Sequence, residues 1–221
     1  MIGVLVTSKI EWEALLKVYE IDSNLTDKYI YGDYYKTSIY NKEVLLFRSI
    51  GRKAMASAAV QYMIDKFDLK KVVFIGTCTL VCDYLDYGDI VIPNMVSEYD
   101  LSIREIEPLI KESSITKLNP TKVSMKYYDG LLGTSDKPLI TKKDYLMVRE
   151  TDMVASDTEA AAIARVCKFN NIDIVIIKGI SDRISEEGNY DEQNEVYEEN
   201  APRIIDNITR NYLTEVLWKK Y

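Results

Sequence analysis

Short apolar runs alternate with amphipathic segments along the first half of the chain. The runs at 2–6, 71–76 and 88–93 consist mainly of β-branched and other apolar residues, which is typical of buried β-strands. Segments 10–19 and 52–67 predict helices, the first from the spacing of its apolar residues and the second from its alanine content. A strand followed by a helix at the start of the chain favours an α/β fold.

The middle and second half continue this alternation. Aromatic and β-branched residues on both sides of a polar YNKE turn predict a β-hairpin over 29–50. Further strands and helices are predicted in turn at 127–136, 141–150, 152–156, 157–169 and 172–180.

The final helix is predicted over 200–218, with Asn200 as its cap and Pro202 in its first turn. Residues 100–126 are predicted to be mostly loop with one short helix, because prolines interrupt polar sequence there.

These elements predict an α/β protein with three layers, α/β/α, and a central mixed sheet. We expect residues 1–221 to form a single domain, since nothing in the sequence has the composition of a linker. In such sheets, ligands bind beyond the carboxyl ends of the strands. The polar residues that follow the apolar runs are therefore candidates for a binding site.

Composition and charge narrow the possible functions. A net charge of −7 without a large basic cluster argues against a nucleic-acid partner. The chain has no histidine and only three cysteines, without a CxxC pair, so no metal site is expected and triads that need histidine are excluded. No apolar run is long enough for a membrane span or signal peptide, which predicts a cytoplasmic protein without a membrane partner.

Three predicted strand ends carry suggestive polar residues: IGTCT at 75–79, SDTEAAA at 156–162 and GISD at 179–182. Each residue also has an ordinary structural interpretation. Asp182 could cap a turn, Glu159 could favour a helix start, and Thr77 could satisfy a neighbouring amide. Asp157 fits the role of a plain helix cap best. If the three strand ends converge on one edge of the sheet, however, their side chains would form a site.

The order of these motifs resembles the nucleoside phosphorylase/nucleosidase family, and within it the 5′-methylthioadenosine/S-adenosylhomocysteine nucleosidases. The resemblance covers nearly the whole chain. It rests on the segments KIEWEALL, SIGRKAMASAA, IGTC, YGDIVIP, GLLGTSD, DTEAAAIARVC and IIKGISD.

The resemblance implies a set of catalytic roles. Asp182 matches the family's acid, which protonates or hydrogen-bonds N7 of the purine, and Glu159 matches the residue that holds the ribose hydroxyls. Glu11 matches the carboxylate that orients the attacking water, although the spacing leaves Glu13 possible. The chemistry is consistent, because cleavage of an N-glycosidic bond builds positive charge on the sugar and negative charge on the base.

Further residues are implied as substrate-binding. Thr77 and Ser181 would be hydroxyls that tune Asp182 and the floor of the site, and Leu139 and Ile140 would line the base pocket unless they are plain core residues. Lys178 would assist the water.

Lys178 stands where the family has arginine and Thr158 where it usually has methionine; Thr79 likewise replaces a glycine. These departures, and a poor match over 101–126, leave the exact nucleoside open.

The sequence favours a hydrolase that releases adenine from a nucleoside, a small-molecule partner, without a cofactor. The first alternative is a phosphorylase of the same fold; Phe74 stands where phosphorylases carry a phosphate-binding arginine, but Arg48 or Arg52 could reach a phosphate. The second is a non-catalytic nucleoside-binding module. A dinucleotide-dependent oxidoreductase is disfavoured, since no GxGxxG follows the first strand. The resemblance also implies a homodimer.

Overall fold

The computed structural model describes residues 1–100 and 115–218. Within these residues the strands are β1 Ile2–Val6, β2 Asp27–Tyr29, β3 Gly32–Ile39, β4 Lys42–Ser49, β5 Lys71–Leu80, β6 Ile90–Val91, β7 Met95–Glu98, β8 Ile115–Lys117, β9 Leu131–Thr134, β10 Met153–Asp157 and β11 Asp173–Arg183. The α-helices are α1 Lys9–Val18, α2 Lys53–Phe67, α3 Lys142–Val148, α4 Ala160–Phe169, α5 Tyr190–Asn207 and α6 Thr214–Trp218, and a π-helix over Ile208–Leu213 joins the last two.

One mixed sheet runs through all of these strands. Its main path has the order β2-β3-β4-β1-β5-β10-β9-β7-β8, and β11 pairs with β5 and β6 off this path. The long strand β5 joins the two halves: its first residues pair in parallel with β1 and its last two pair antiparallel with β10. The predicted α/β fold with a central mixed sheet and helices on both faces is confirmed.

Two hydrophobic cores cover the two faces of the sheet. In β1, Leu5 packs with α2 and α4 on one face, whereas Val4 and Val6 pack with α1 and α5 on the other. Because successive side chains of a strand point to opposite faces, both sets are buried only when helices cover both sides. Burial on both faces explains why residues 2–6 form a continuous apolar run.

Strand β11 continues past the apolar run that predicted it. It pairs in parallel with β5 from Asp173 to Arg183, and its register shifts by one residue between Ile180 and Asp182. The shift is a β-bulge, which places Asp182 opposite Thr79. Asp182 is therefore still paired with β5 and lies within β11, not beyond its end.

The final helix differs from its prediction. Helix α5 begins at Tyr190, with Asn189 as the cap residue that accepts from the N–H of Glu192. Asn200 is buried in the middle of the helix, where its side-chain amide donates to the carbonyl of Ser181 at 2.9 Å. The prediction of Asn200 as a cap is wrong, since polar residues at the start of the helix face the solvent and hide its amphipathic pattern.

The stretch predicted as loop over 100–126 contains strand β8, which pairs antiparallel with β7. Pairing with β7 stabilises this strand, although the local sequence pattern is too weak to predict it. One short helix was predicted within this stretch without bounds; residues 115–126 contain no helix, and residues 101–114 lie outside the described residues. No helix in the described part of the chain is both long and apolar enough to span a bilayer.

Candidate active site

A cavity of about 330 Å³ opens where the carboxyl ends of β1, β5, β10 and β11 meet the first turns of α5. The carboxylates of Glu11, Asp157, Glu159 and Asp182 are among its lining residues. Each is almost completely buried, although carboxylates normally stay in water. Specific donors must therefore hold each of them.

Glu11 lies in the first turn of α1, where the helix dipole favours a negative charge. Its Oε2 accepts from the backbone N–H groups of Thr7 and Ser8, at 3.3 and 3.1 Å. Its Oε1 accepts from the backbone N–H and the hydroxyl of Thr77, at 2.8 and 3.0 Å. Three of these four donors are fixed backbone groups. Only the Thr77 hydroxyl can rotate away and free a lone pair for another donor.

Glu13 lies on the same helix but on its solvent-exposed side. Its side chain is 60% exposed and lies 3.6 Å from Lys9 Nζ in an i,i+4 pair. Of the two carboxylates that the sequence left open, only Glu11 faces the cavity. Gly76 makes room for this arrangement, because a Cβ at that position would lie 3.1 Å from Glu11 Oε1 and 2.9 Å from Lys178 Nζ.

Asp182 is held by three side-chain donors. The hydroxyl of Ser181 donates to its Oδ1 at 2.5 Å, while the hydroxyl of Thr79 and Nε2 of Gln193 both donate to its Oδ2, at 2.8 and 2.7 Å. Two of these donors, the hydroxyls, can reverse direction and accept, so Asp182 can be accommodated with or without a proton.

Glu159 lies at the N-cap of α4, and its Oε1 accepts from the backbone N–H of Arg52 at 2.9 Å and from the hydroxyl of Thr158. Arg52 has φ 85°, a strained conformation for a residue with a Cβ, and this conformation precedes α2 at the cavity wall. Burial, and then the neighbouring Asp157, raise the pKa of Glu159 above its usual value. The protein environment therefore favours the protonated form of Glu159 more than water does.

A buried ion pair lies beneath the cavity. Lys178 is 1% exposed; its Nζ is 3.1 Å from Asp157 Oδ2 and 3.6 Å from the centre of the Phe74 ring. Burial opposes the charge of Lys178, but the carboxylates of Asp157, Glu159 and Glu11 outweigh it and raise the pKa. The ammonium is thus positively charged at neutral pH.

Asp157 also caps helix α4, as predicted. Its Oδ1 accepts from the N–H groups of Glu159 and Ala160 and from the hydroxyl of Thr134. Even with Lys178 charged, the surroundings of the cavity hold more carboxylates than ammonium groups. This excess of carboxylates around the cavity favours a cationic species.

The remaining predicted residues have different positions. Thr77, Thr158 and Ile140 line the cavity, whereas Ser181 is buried behind Asp182. Leu139 packs in a small core, the alternative that the sequence left open for it, and only its carbonyl takes part in the contacts around Asp182.

Two of the predicted contacts require correction. The Thr77 hydroxyl contacts Glu11 and not Asp182, because the bulge in β11 brings Thr79 opposite Asp182. Lys178 lies below the floor and its Nζ pairs with Asp157, so it does not line the cavity.

Three residues near the buried carboxylates were not predicted as contacts: Thr79, Gln193 and Tyr197. Thr77 and Thr79 alternate along β5, so they face the same side, and this period was visible in the sequence. The two residues of α5 were missed because the helix was predicted to begin at 200; Asn189 followed by acidic residues was the available signal. The hydroxyl of Tyr197 donates to Ser8 Oγ at 2.8 Å and connects α5 to the turn that holds Glu11.

No group of three or more acidic or cysteine side chains within residues 1–100 and 115–218 has the arrangement of a metal site. Buried carboxylates thus surround one cavity at the strand ends of a mixed α/β sheet.

The chain belongs to the Phosphorylase superfamily, which it matches over residues 2–210. The predicted family is thereby confirmed. Among its relatives are two 5′-methylthioadenosine/S-adenosylhomocysteine nucleosidases of Buchnera aphidicola. That of the Acyrthosiphon pisum subspecies, strain APS, is 27% identical over 82% of this chain and 84% of the relative. That of the Baizongia pistaciae subspecies is 31% identical over 82% and 77%.

Solved structures show the same fold at lower identity. The 5′-methylthioadenosine/S-adenosylhomocysteine nucleosidase of Helicobacter pylori, bound to a pyrrolidine inhibitor, superimposes with a TM-score of 0.82 at 17% identity and covers 98% of this chain and 97% of its own. The futalosine hydrolase of the same organism gives a TM-score of 0.82 at 17% identity, with 97% and 96% covered.

Proposed function

We propose that this protein is an N-ribosyl hydrolase that cleaves adenine nucleosides of the 5′-methylthioadenosine and S-adenosylhomocysteine type into free base and free sugar. The names of two relatives, at 27% and 31% identity over most of the chain, support this substrate class. Membership of the Phosphorylase superfamily by itself is compatible with either hydrolysis or phosphorolysis.

The observation that carries the proposal is the convergence of Glu11, Glu159 and Asp182 on one cavity. Rupture of the N-glycosidic bond leaves positive charge on the ribose and sends electrons to the purine. Asp182 delivers a proton to N7 of the departing base. Glu159 accepts hydrogen bonds from the ribose diol, and its charge, together with the excess of carboxylates around it, stabilises the cationic sugar.

Glu11 positions the attacking water in this scheme. Its fixed backbone partners hold the carboxylate in place, and rotation of the Thr77 hydroxyl leaves an acceptor for the water proton. Lys178 acts from below: its charge keeps Asp157 paired and holds the floor together. Thr158 supports Glu159 through its hydroxyl, and Ile140 contributes an apolar part of the wall.

Water is favoured over phosphate as the nucleophile. Phosphate is a dianion that needs several fixed donors, preferably arginines. Arg48 is already bound to Asp33 through Nε at 3.0 Å and Nη2 at 2.6 Å. Arg52 is the one arginine among the residues that line the described cavity, and four carboxylates line the same space.

Product analysis tests the proposal. The protein is incubated with 5′-methylthioadenosine, S-adenosylhomocysteine, adenosine and inosine, in phosphate and in a non-phosphate buffer of equal ionic strength. We expect adenine and a reducing sugar from the first two substrates, at the same rate in both buffers. Strict dependence on phosphate, with a ribose 1-phosphate product, would falsify the hydrolase and assign the phosphate to Arg52.

The Asp182→Asn variant tests the proton donor. Asparagine keeps the shape of the side chain but cannot deliver a proton to N7, so base release should fall by about 10²–10⁴-fold. The matched control is Asp191→Asn on the exposed side of α5, which should retain full activity. Wild-type turnover by the Asp182 variant would remove this residue from the mechanism.

We also propose that the protein acts in the cytoplasm as a homodimer. All three cysteines are free thiols, as is usual in a reducing compartment. Large apolar side chains are exposed on both sides of β2, after β4 and in the first turn of α2: Leu25, Ile30, Ile50 and Met55. Exposed apolar surface of this kind marks association sites. Sedimentation equilibrium should give an apparent mass of twice the chain mass. The Ile30→Asp variant should give a lower apparent mass.

A further inference from the structure

Gln193 makes an unusual pair of contacts inside the cavity. Its Nε2 donates one hydrogen bond to Asp182 Oδ2, at 2.7 Å, and a second to the carbonyl oxygen of Leu139, at 3.1 Å. A single –NH₂ group thus uses both of its N–H bonds, on two acceptors from different parts of the fold. Asp182 belongs to β11, Leu139 to the segment before α3, and Gln193 to α5.

The position of Asp182 indicates which part of a bound purine would meet these two acceptors. If Asp182 faces N7 of a purine, as the proposed function states, the substituent on C6 is its nearest neighbour on the base. In adenine that substituent is an exocyclic –NH₂, a planar amino group with two N–H bonds. The carboxamide of Gln193 is also planar and also ends in –NH₂.

We propose that Gln193 and the 6-amino group of the bound base compete for the same two acceptors, Asp182 Oδ2 and the Leu139 carbonyl. Gln193 is then a specificity-determining residue: its carboxamide must withdraw before a 6-aminopurine can bind. This inference rests on the proposed function for the location of the base. It goes beyond it in assigning a role to a side chain of α5.

The competition has a clear consequence for affinity. Adenine replaces hydrogen bonds that the protein already makes, one of them to a carboxylate, so part of its binding free energy is offset. Unsubstituted purine carries only hydrogen at C6 and leaves Gln193 in place. Removal of the amide should therefore favour adenine alone.

Calorimetric titration of free bases measures this effect without catalysis. In Gln193→Met, which keeps the length of the side chain but has no N–H, adenine should bind about tenfold more tightly than in the wild type. Purine should change by less than about twofold. The matched control is Gln61→Met, because Gln61 bonds to Asn170 between α2 and α4, away from the cavity.

A second measurement uses the wild-type protein and needs no folded variant. The chain contains only two glutamines, Gln61 and Gln193. Selective ¹⁵N-glutamine labelling therefore gives two side-chain amide pairs in an NMR spectrum, one of them an internal reference. Adenine should move the Gln193 pair toward the position of solvated glutamine, whereas purine should leave it unchanged and Gln61 should not respond to either base.

Several results would overturn the inference. If adenine leaves the Gln193 resonances unchanged, the two groups do not compete. The same conclusion follows if Gln193→Met binds adenine more weakly than the wild type does, or if its affinities for adenine and purine change equally. Absence of any adenine binding by the wild type also overturns it. The proposed function is judged separately, by product analysis of the wild-type enzyme, so nucleoside hydrolysis can stand while the role of Gln193 fails.

Discussion

The three carboxylates proposed to act on the nucleoside differ in the groups that hold them. Glu11 is bound mainly by backbone N–H groups, Asp182 by side chains, and Glu159 by one backbone and one hydroxyl donor. Backbone donors fix a position, whereas hydroxyl donors can reverse. This difference fits a water-positioning role for Glu11 and a proton-transfer role for Asp182.

Substitution of Glu11 tests its role against that of its neighbour. Glu11→Gln should slow hydrolysis by about 10²-fold or more, because an amide cannot accept the proton of the water. Glu13→Gln should leave the rate unchanged, since this exposed side chain pairs with Lys9 on the outside of the helix. Steady-state assays with 5′-methylthioadenosine decide the matter; equal losses in the two variants would mean that helix α1 matters only for stability.

Glu159 should link activity to stability. Since burial and Asp157 raise its pKa in the folded protein, ionisation of Glu159 opposes folding. This destabilisation is absent below the pKa of the unfolded chain and grows as pH rises toward the folded value. Glu159→Gln should therefore lose activity yet melt at a higher temperature than the wild type at pH 7, and the difference should shrink at pH 4.

The control for Glu159 is Glu13→Gln, which should melt like the wild type at both pH values. A Glu159 variant that is less stable at pH 7 would show that the contacts with Arg52 and Thr158 need the full charge. A 2′-deoxynucleoside substrate adds a test of function. If Glu159→Gln impairs ribo- and 2′-deoxyribonucleosides equally, this residue does not hold the diol.

At the level of elements, the contact between β11 and α5 positions most of the site. Strand β11 supplies Lys178 and Asp182, and α5 contributes Gln193 and Tyr197 to the lining of the cavity. Gly179 allows the close approach, because a Cβ there would lie 2.3 Å from Ile204 Cγ2. A displacement of α5 would therefore disturb the base end and the water end of the cavity together.

Asn200 is the polar connection between these two elements. Its amide donates to the Ser181 carbonyl, one residue from Asp182. Asn200→Ala leaves that buried carbonyl without its donor and should lower the free energy of unfolding by about 1–3 kcal/mol. Asn211→Ala, at an exposed site, is the control. Urea denaturation that gives equal stability for both variants would contradict the structural role.

At the scale of the whole molecule, one of the two hydrophobic cores holds both buried thiols. Cys78 and Cys167 are buried in the core that α2 and α4 cover, and burial raises the pKa of Cys167 to about 12. Cys82 is only half-buried. A thiolate is the reactive form, so a buried thiol with a raised pKa reacts slowly.

A thiol count therefore reports the integrity of the fold. One cysteine per chain, Cys82, should react readily with a thiol reagent at pH 8, and all three should react in denaturant. Cys82→Ser should reduce the native count to about zero. A native count of three would mean that the core opens on the time scale of the assay.

Local sequence patterns determined the architecture. Apolar runs such as 2–6 and 172–180 predict strands buried on both faces, and helical spacing over 10–19 predicts the helix that covers one of them. The family resemblance directed attention to Glu11, Glu159 and Asp182, which do line one cavity. The strands and helices were accessible because each depends on residues that are close together in the chain, whereas the roles of the three carboxylates were implied only by the family resemblance.

Only the tertiary structure decided which side chains meet. The bulge at the end of β11 gives Asp182 the partner Thr79, 103 positions away, and the order of strands brings Lys178 to Asp157. The contact of Gln193 with Asp182 depends on where α5 crosses the sheet. A one-residue change of register turns every following side chain to the other face, and no local pattern records where a bulge falls.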